Sequence, residues 1–169
     1  MKRLLFAIGL SVCLAACGHG GSKAQTASQA APSADAGFLA SNAKAAGVIT
    51  LPSGLQYKIV HSGPATGQRP GPADEVKVNY EGKLINGTVF DSSFQRGEPA
   101  DLPLQGLIPG WVEALQLMRP GDEWMLYVPP ELGYGDHSPD TSAIPNNSVL
   151  IFRIQLLGVL QHPAGPAQG

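Results

Sequence analysis

The chain has 169 residues and a formal charge of −2, with 14% charged residues, 21 glycines and 15 prolines. This length fits one ordinary domain plus a tail, and the glycine and proline content favours short strands and turns over an all-helical fold. The slightly acidic balance offers no broad attraction to phosphates, which argues against nucleic acid as a partner.

The first residues have the pattern of an export signal. Lys2 and Arg3 precede an apolar stretch, Leu4 to Ala16, that is too short to span a membrane as a helix but suits a secretory signal peptide of residues 1–16. Its end, Leu14-Ala15-Ala16-Cys17, resembles the bacterial lipobox, in which the cysteine is lipidated and becomes the mature N-terminus. An ordinary signal peptide cleaved elsewhere and an uncleaved anchor are the alternatives.

The lipobox resemblance also predicts where the protein resides. Gly18 follows the cysteine at the position where an aspartate favours inner-membrane retention in enteric bacteria. We therefore expect a cell-envelope protein that is held only by its lipid, in the outer membrane and facing the periplasm. An orientation towards the cell surface remains the alternative.

Cysteine usage limits the chemistry of the remaining chain. Both cysteines, Cys13 and Cys17, lie in the first 17 residues. The rest of the chain therefore has neither a thiol nucleophile nor a thiolate zinc site, and the four histidines show no metal-ligand spacing. We expect neither a metal nor a cofactor.

A tether follows the predicted lipid anchor. Residues 18–36 are small and polar with hardly any large apolar side chain, so they cannot bury enough surface to offset the cost of ordering. Good helix formers then run from Phe38 to Ala46, before Gly47. Residues 17–47 are thus read as a lipidated cysteine, a flexible tether and one short helix.

Strand patterns begin at Leu55. Leu55, Tyr57 and Ile59 alternate with polar residues, and the clearest alternation runs from Val76 to Leu84, which predicts a half-buried antiparallel strand. Asn86-Gly87 then predicts a turn.

One helix follows these strands. Pro109 is placed as at a helix N-terminus, and Val112, Leu115 and Met118 recur at helical spacing, which predicts an apolar stripe that ends before Arg119.

Two further strands supply a sheet for the helix to cover. Glu123 to Val128 and Ser148 to Leu157 each place apolar residues on one face. The pattern predicts an α+β fold, a curved antiparallel β-sheet wrapped around one short α-helix, over residues 48–160. Residues 161–169 are read as a disordered tail.

A long motif links the chain to a known family. The run from Val76 to Ser93 resembles the signature of the FKBP family of peptidyl-prolyl cis-trans isomerases. Further matching segments follow in family order over about residues 50–158: Leu107–Trp111, Arg119–Asp122, Pro130–Gly135, Ile144–Pro145 and Leu150–Phe152.

The segment before this motif resembles one group within the family. Phe38-Leu39 and Pro52 to Tyr57 look like the join between helix and isomerase domain in the envelope FKBPs related to macrophage infectivity potentiator. Those relatives dimerise through a long N-terminal helical region. Because residues 18–36 are tether-like here, we expect a monomer.

The resemblance implies a site for a proline ring. Aromatic walls would come from Tyr80, Phe90, Trp111 and Phe152, with Trp111 as the floor and Leu107 and Ile108 beside it. Aromatic side chains suit a ring-shaped apolar ligand, although any one of them taken alone is more often plain core.

Polar groups of the site follow from the same resemblance. Asp91 would interact with the reacting amide or order its neighbours, and the hydroxyl of Tyr134 and the backbone N–H of Ile108 would hold substrate carbonyls. Ala143 and Ile144 would form the apolar tip of an overhanging loop. The competing interpretations are a turn aspartate for Asp91 and a packing residue for Tyr134.

Two departures from the family pattern stand out. Alanine and leucine, at Ala100 and Leu102, replace aromatics that many relatives carry, which puts binding of macrolide inhibitors in question. The loop from Gly135 to Ile144 is one residue longer than in small cytosolic members, and neither His137 nor Asp140 can be given a role.

These observations predict a prolyl isomerase that acts on proline-containing, unfolded or partly folded exported polypeptides in the periplasm. An X-Pro bond isomerises slowly because its partial double-bond character must be broken, and no nucleophile or metal is needed to assist this. The alternatives are a catalytically weak peptide-binding chaperone module that uses the same groove and a structural envelope lipoprotein without a working pocket.

Overall fold

The computed structural model describes residues 34–160. The predicted signal peptide, Cys17, residues 18–33 of the predicted tether and the tail 161–169 lie outside this range. Three α-helices and seven strands are described: α1 (Ala34–Asn42), β1 (Val48–Thr50), β2 (Gln56–His61), β3 (Glu75–Leu84), β4 (Val89–Ser92), α2 (Ser93–Arg96), β5 (Ala100–Pro103), α3 (Pro109–Leu117), β6 (Glu123–Val128) and β7 (Leu150–Leu160). None of the helices in this part of the chain is long and apolar enough to cross a membrane.

All strands belong to one antiparallel sheet in the order β1-β2-β6-β7-β3-β4. β3 pairs with β7 along its whole length on one side. Its other edge is shared, since β5 pairs with Glu75–Val78 and β4 pairs with Glu81–Lys83. The segment between β4 and β5 therefore leaves the sheet beside the middle of β3.

The predicted alternation holds in the long strands. In β3 every second residue is buried, and in β6 Trp124, Leu126 and Val128 point inward. In β7 the inward face carries Leu150, Phe152, Ile154 and Leu156, as predicted, although the strand begins at Leu150 and continues to Leu160. The Asn86-Gly87 turn is confirmed, because Gly87 has φ 89° and its N–H bonds to the carbonyl of Leu84.

The helix α3 covers the inner face of this sheet. Pro109 occupies its first turn, as predicted. The predicted stripe was wrong in one member, because Val112 is only half-buried. The buried side chains of the helix and of the residue that ends it are Trp111, Ala114, Leu115 and Met118. These residues follow the i, i+3, i+4, i+7 spacing from Trp111 and therefore share one helix face. Because this face packs on the sheet, the indole ring points towards the sheet.

Helix α1 differs from its predicted bounds. It begins at Ala34, inside the segment assigned to the tether, and ends at Asn42 rather than at Ala46. At its end the Asn42 side chain donates to the Gln56 side chain at 2.8 Å, and Gln56 donates to the carbonyl of Leu39 at 3.0 Å. These bonds to β2 hold the helix end in place, and turns then lead to Gly47 at φ 79°.

The segment that follows α3 has a structural role. Asp122 is buried, and its carboxylate accepts from the N–H of Gly63 at 2.6 Å and from that of Arg119 at 2.8 Å. Gly63 approaches so closely that an added Cβ would lie 2.3 Å from the carbonyl oxygen of Pro120. This part of the family motif therefore fixes the long loop before β3.

Candidate active site

A cavity of about 390 Å³ opens between α3, β3, β4 and the loop that follows β6. Its walls are mostly apolar and aromatic. The lining residues are Tyr80, Phe90, Asp91, Leu102, Gly106, Leu107, Ile108, Trp111, Tyr134, Pro139, Asp140, Ala143, Ile144 and Phe152.

Four aromatic rings form the body of the cavity, and they meet edge to face. The Trp111 ring lies 5.2 Å from that of Tyr80, at 84°, and 5.2 Å from that of Phe152, at 88°. The Phe90 ring meets that of Phe152 at 5.7 Å and 87°. Edge-to-face contacts of this kind are favourable for aromatic pairs, so each ring holds its neighbour in orientation.

Trp111 links the core to the cavity. It is 4% exposed, and its Nε1 is buried without a hydrogen-bond partner among residues 34–160. Its position at the start of α3, on the helix face turned to the sheet, makes the indole part of the cavity lining.

A glycine makes the aromatic arrangement possible. Gly82 lies on β3 directly opposite Phe152 of β7 and Asp91 of β4. A Cβ added there would lie 2.6 Å from Cε2 of Phe90 and 2.8 Å from Cε1 of Phe152. The two phenyl rings therefore occupy the space that any other residue would fill.

One edge of the cavity is polar. The hydroxyl of Tyr80 donates to Oδ2 of Asp91, and Nη1 of Arg96 donates to Oδ1 of the same carboxylate. Nη2 of Arg96 lies 3.0 Å from the hydroxyl of Tyr80, and the guanidinium also lies 5.4 Å from the centre of the Tyr80 ring. Each member of this network contacts the other two.

The network controls the protonation of its members. Partial burial alone would raise the pKa of Asp91, but the hydrogen bonds from Tyr80 and Arg96 outweigh it and hold this pKa below its ordinary value. Burial, with help from the Asp91 carboxylate, raises the pKa of Tyr80 above 10.0. Near neutral pH, Asp91 is therefore a carboxylate and Tyr80 a neutral donor.

Helix α2 brings Arg96 to the site. Ser92 caps this short helix by accepting from the N–H of Gln95, and Gly97 ends it at φ 78°. The buried Ser93 accepts from the backbone N–H of Tyr80 at 2.8 Å, where β3 has no strand partner on that side. The serine thereby ties α2 to the strand that carries the tyrosine.

The loop between β6 and β7 forms the opposite wall. Tyr134 lies here, and burial together with the charge of Asp91 raises its pKa. Oδ1 of Asp140 accepts from the N–H of Ser142 at 2.9 Å and from its hydroxyl at 2.5 Å, while the carbonyl of Asp140 accepts from the N–H of Ile144 at 2.8 Å. This turn fixes Ala143 and Ile144 against the cavity.

All side chains predicted for the pocket line this one cavity; the roles assigned to them stay predictions. Sequence reasoning missed Arg96, which contacts two of them, because a single exposed arginine after a serine-rich turn gives no recognisable signal. It gave no role to Asp140 or Pro139. Leu102, expected only as a replaced aromatic, lines the cavity, whereas Ala100 is not among the lining residues.

Comparison with known proteins identifies the family. The model of the FKBP-type peptidyl-prolyl cis-trans isomerase matches residues 67–157. The chain belongs to this family. The model of the domain amino-terminal to FKBP-type isomerases matches residues 19–59, a range that includes α1 and most of the segment read as a tether.

Individual relatives agree with the family model. The chain is 52% identical to the peptidyl-prolyl cis-trans isomerase Mip of Coxiella burnetii, over 72% of this chain and 52% of that protein. It is 50% identical to a 22 kDa FKBP-type isomerase of Escherichia coli, over 73% and 58%. The outer membrane protein MIP of Legionella longbeachae is 49% identical, over 72% and 51%. The chain thus spans about half the length of the curated relatives it matches.

Solved structures share the fold. The crystal structure of FkpA from Escherichia coli has a TM-score of 0.70 and 42% identity, covering 75% of this chain and 58% of that one. A peptidyl-prolyl cis-trans isomerase from Pseudomonas syringae has a TM-score of 0.70 and 32% identity, covering 77% and 93%. The predicted FKBP-like α+β fold is therefore confirmed.

Proposed function

We propose that this chain is a peptidyl-prolyl cis-trans isomerase and that the cavity beside β3 is its active site. The observation that carries the proposal is an aromatic cavity of about 390 Å³ with a hydrogen-bonded Tyr80–Asp91–Arg96 network on one edge. The lining contains no cysteine, serine or histidine. Such a site suits a reaction in which a bond rotates and none is broken.

The physical basis is the change in polarity as the amide twists. A planar amide is strongly dipolar because of its resonance, and rotation about it faces a barrier of about 18–20 kcal/mol. The twisted amide has lost part of that dipole. Apolar walls therefore disfavour the planar state more than the twisted one, and only such differential binding accelerates the reaction.

The polar groups would orient the substrate. In this proposal the proline ring lies on the Trp111 indole, and the hydroxyl of Tyr134 donates to a substrate carbonyl. The N–H of Ile108 forms no hydrogen bond within the described residues and is available for a second carbonyl. Asp91, held as a carboxylate by its ion pair with Arg96, fixes the Tyr80 ring and places an ion-paired carboxylate beside the reacting amide.

The proposal also covers the substrates of the protein and its location in the cell. We infer that the protein is held in the cell envelope by lipid on Cys17, in the outer membrane facing the periplasm, and acts as a monomer on exported polypeptides. One relative, the Legionella longbeachae protein, is called an outer membrane protein. We also propose that macrolides bind in the cavity, with Leu102 providing one wall.

The test of catalysis is proline-limited refolding of a substrate protein in the presence of the whole chain. We expect acceleration that Asp91→Ala and Phe90→Ala each reduce about ten-fold, which corresponds to about 1.4 kcal/mol of transition-state stabilisation. Matched controls are Asp136→Ala and Phe94→Ala, since both residues lie outside the lining. A well-folded protein that gives no acceleration but still binds the unfolded substrate would support the peptide-binding chaperone instead.

The test of the anchor uses labelled fatty acid in cells that express the chain. We expect label in the native protein and in Cys13→Ser, but none in Cys17→Ser. Equal labelling of the two variants would overturn the assignment of Cys17.

A further inference from the structure

The charged groups that line the cavity are all acidic. Among its lining residues only Asp91 and Asp140 carry a charge at neutral pH. Arg96 pairs with Asp91 and neutralises it. No described lysine, arginine or histidine lies within 4.0 Å of Asp140. The cavity wall therefore has one uncompensated negative charge, and it comes from Asp140.

The Asp140 carboxylate is held at a fixed position. Its Oδ1 accepts from both the N–H and the hydroxyl of Ser142, and these bonds lower the pKa of the group. The side chain therefore stays ionised at neutral pH. Its neighbours Pro139 and Ala143 also line the cavity, so the charge stands next to apolar surface that a substrate would cover.

We propose that Asp140 makes the site selective for proline segments that carry lysine or arginine next to the proline, over segments that carry an acidic residue there. The inference deepens the proposed function, on which it rests. A basic side chain that extends from the bound proline towards the loop would pair with the carboxylate, whereas an acidic one would be repelled. The apolar cavity binds the proline ring. The loop that carries Asp140 discriminates between basic and acidic residues next to the proline.

The expected size of the effect follows from exposure. Asp140 is exposed, and exposed ion pairs are weak because water and salt screen them. A preference of about two- to five-fold between a lysine and a glutamine peptide is therefore expected, with a similar factor against glutamate.

Two variants isolate the charge from the shape of the loop. Asp140→Asn keeps an oxygen that can accept the same bonds from Ser142 but removes the charge. Asp136→Asn is the matched control, because Asp136 lies on the same loop, outside the lining, with its side chain 75% exposed.

The experiment measures isomerisation rates and dissociation constants for short peptides with Lys, Gln or Glu immediately before or after the proline. We expect the native protein and Asp136→Asn to prefer the lysine peptide by the same factor, and Asp140→Asn to show similar rates and dissociation constants for the lysine, glutamine and glutamate peptides. Salt at about 1 M, where the screening length is about 3 Å, should reduce the native preference.

The outcomes distinguish failure of the Asp140 proposal from failure of the isomerase proposal. Acceleration without a charge preference, or a preference that survives in Asp140→Asn, overturns the role of Asp140 and leaves the isomerase proposal intact. Charge-selective binding that requires Asp140 but brings no acceleration supports Asp140 and overturns the isomerase proposal. Absence of both acceleration and selective binding overturns both.

Discussion

Substitution of Gly82 by alanine tests whether the two phenylalanine rings set the shape of the proposed active site. The added Cβ would lie 2.6 Å from the Phe90 ring and 2.8 Å from the Phe152 ring, whereas ordinary contact begins at 3.4 Å. The rings must therefore retreat by about 0.8 Å and about 0.6 Å, respectively. Both rings line the cavity, so the strain passes directly to the site.

The expected magnitudes differ for stability and activity. Overpacking of a close-packed core costs about 1–3 kcal/mol, and the loss of glycine flexibility in the unfolded chain returns about 0.4–1 kcal/mol. The free energy of unfolding therefore falls by about 0–2.6 kcal/mol. Most molecules stay folded, because the free energy of unfolding of a domain is about 5–15 kcal/mol. Because a misplacement near 1 Å can cost about 100-fold in rate, we expect isomerase activity to fall about ten- to 100-fold.

The assay combines urea unfolding with proline-limited refolding. Gly158→Ala is the matched control, because it adds the same methyl group to β7, where nothing lies within 4 Å. Phe90→Leu in the Gly82→Ala background should recover part of the lost stability, although Phe90→Leu alone destabilises the native chain. If Gly82→Ala behaves like Gly158→Ala in both measurements, the packing of the rings against β3 is not what shapes the site.

Four further predictions concern hydrogen bonds and charges elsewhere in the fold. Asp122→Ala should lower the free energy of unfolding by about 2–4 kcal/mol, because two loop N–H groups lose a charged acceptor, yet leave the rate per folded molecule unchanged. The isomerisation rate should be flat from about pH 5 to 9, because the pKa of Asp91 is lowered from 3.8 and that of Tyr80 is raised from 10.0. Asp91 binds its proton less readily in the folded state, so its contribution to stability, followed by urea unfolding, should be present above about pH 4 and fade as the pH falls further. Tyr134→Phe should weaken peptide binding by about three- to ten-fold without changing urea stability, since the change removes only the hydroxyl proposed to donate to a substrate carbonyl.

Periodicity predicted the long elements of the sheet because their two faces differ in chemistry. In β3 the charged and amide residues lie outside and the apolar ones inside, so the sequence alone indicates the strand. β1, β4 and β5 have three or four residues each, too few to show a period, and were not predicted. The stripe of α3 was misplaced because Trp111, which lines the cavity, was not counted as a helical core position.

The site was predicted through resemblance more than through periodicity. Tyr80, Phe90 and Phe152 are far apart in sequence, and only the family order suggested that they meet in one cavity. The roles of Arg96 and Asp140 depend on how a short helix and a loop turn their side chains. No pattern along the chain encodes that orientation, so the network at the polar edge and the charge on the loop emerge only in three dimensions.

The shared edge of β3 has a consequence for how this protein can vary. β4 and β5 dock on the same strand independently, and the Ser93 hydroxyl takes the place of a strand partner at Tyr80 between them. The connection between the two strands can therefore lengthen or shorten without shifting the register of either one. Because Arg96 lies in that connection, loop grafting there would redesign one rim of the cavity while the frame that carries the aromatic rings remains intact.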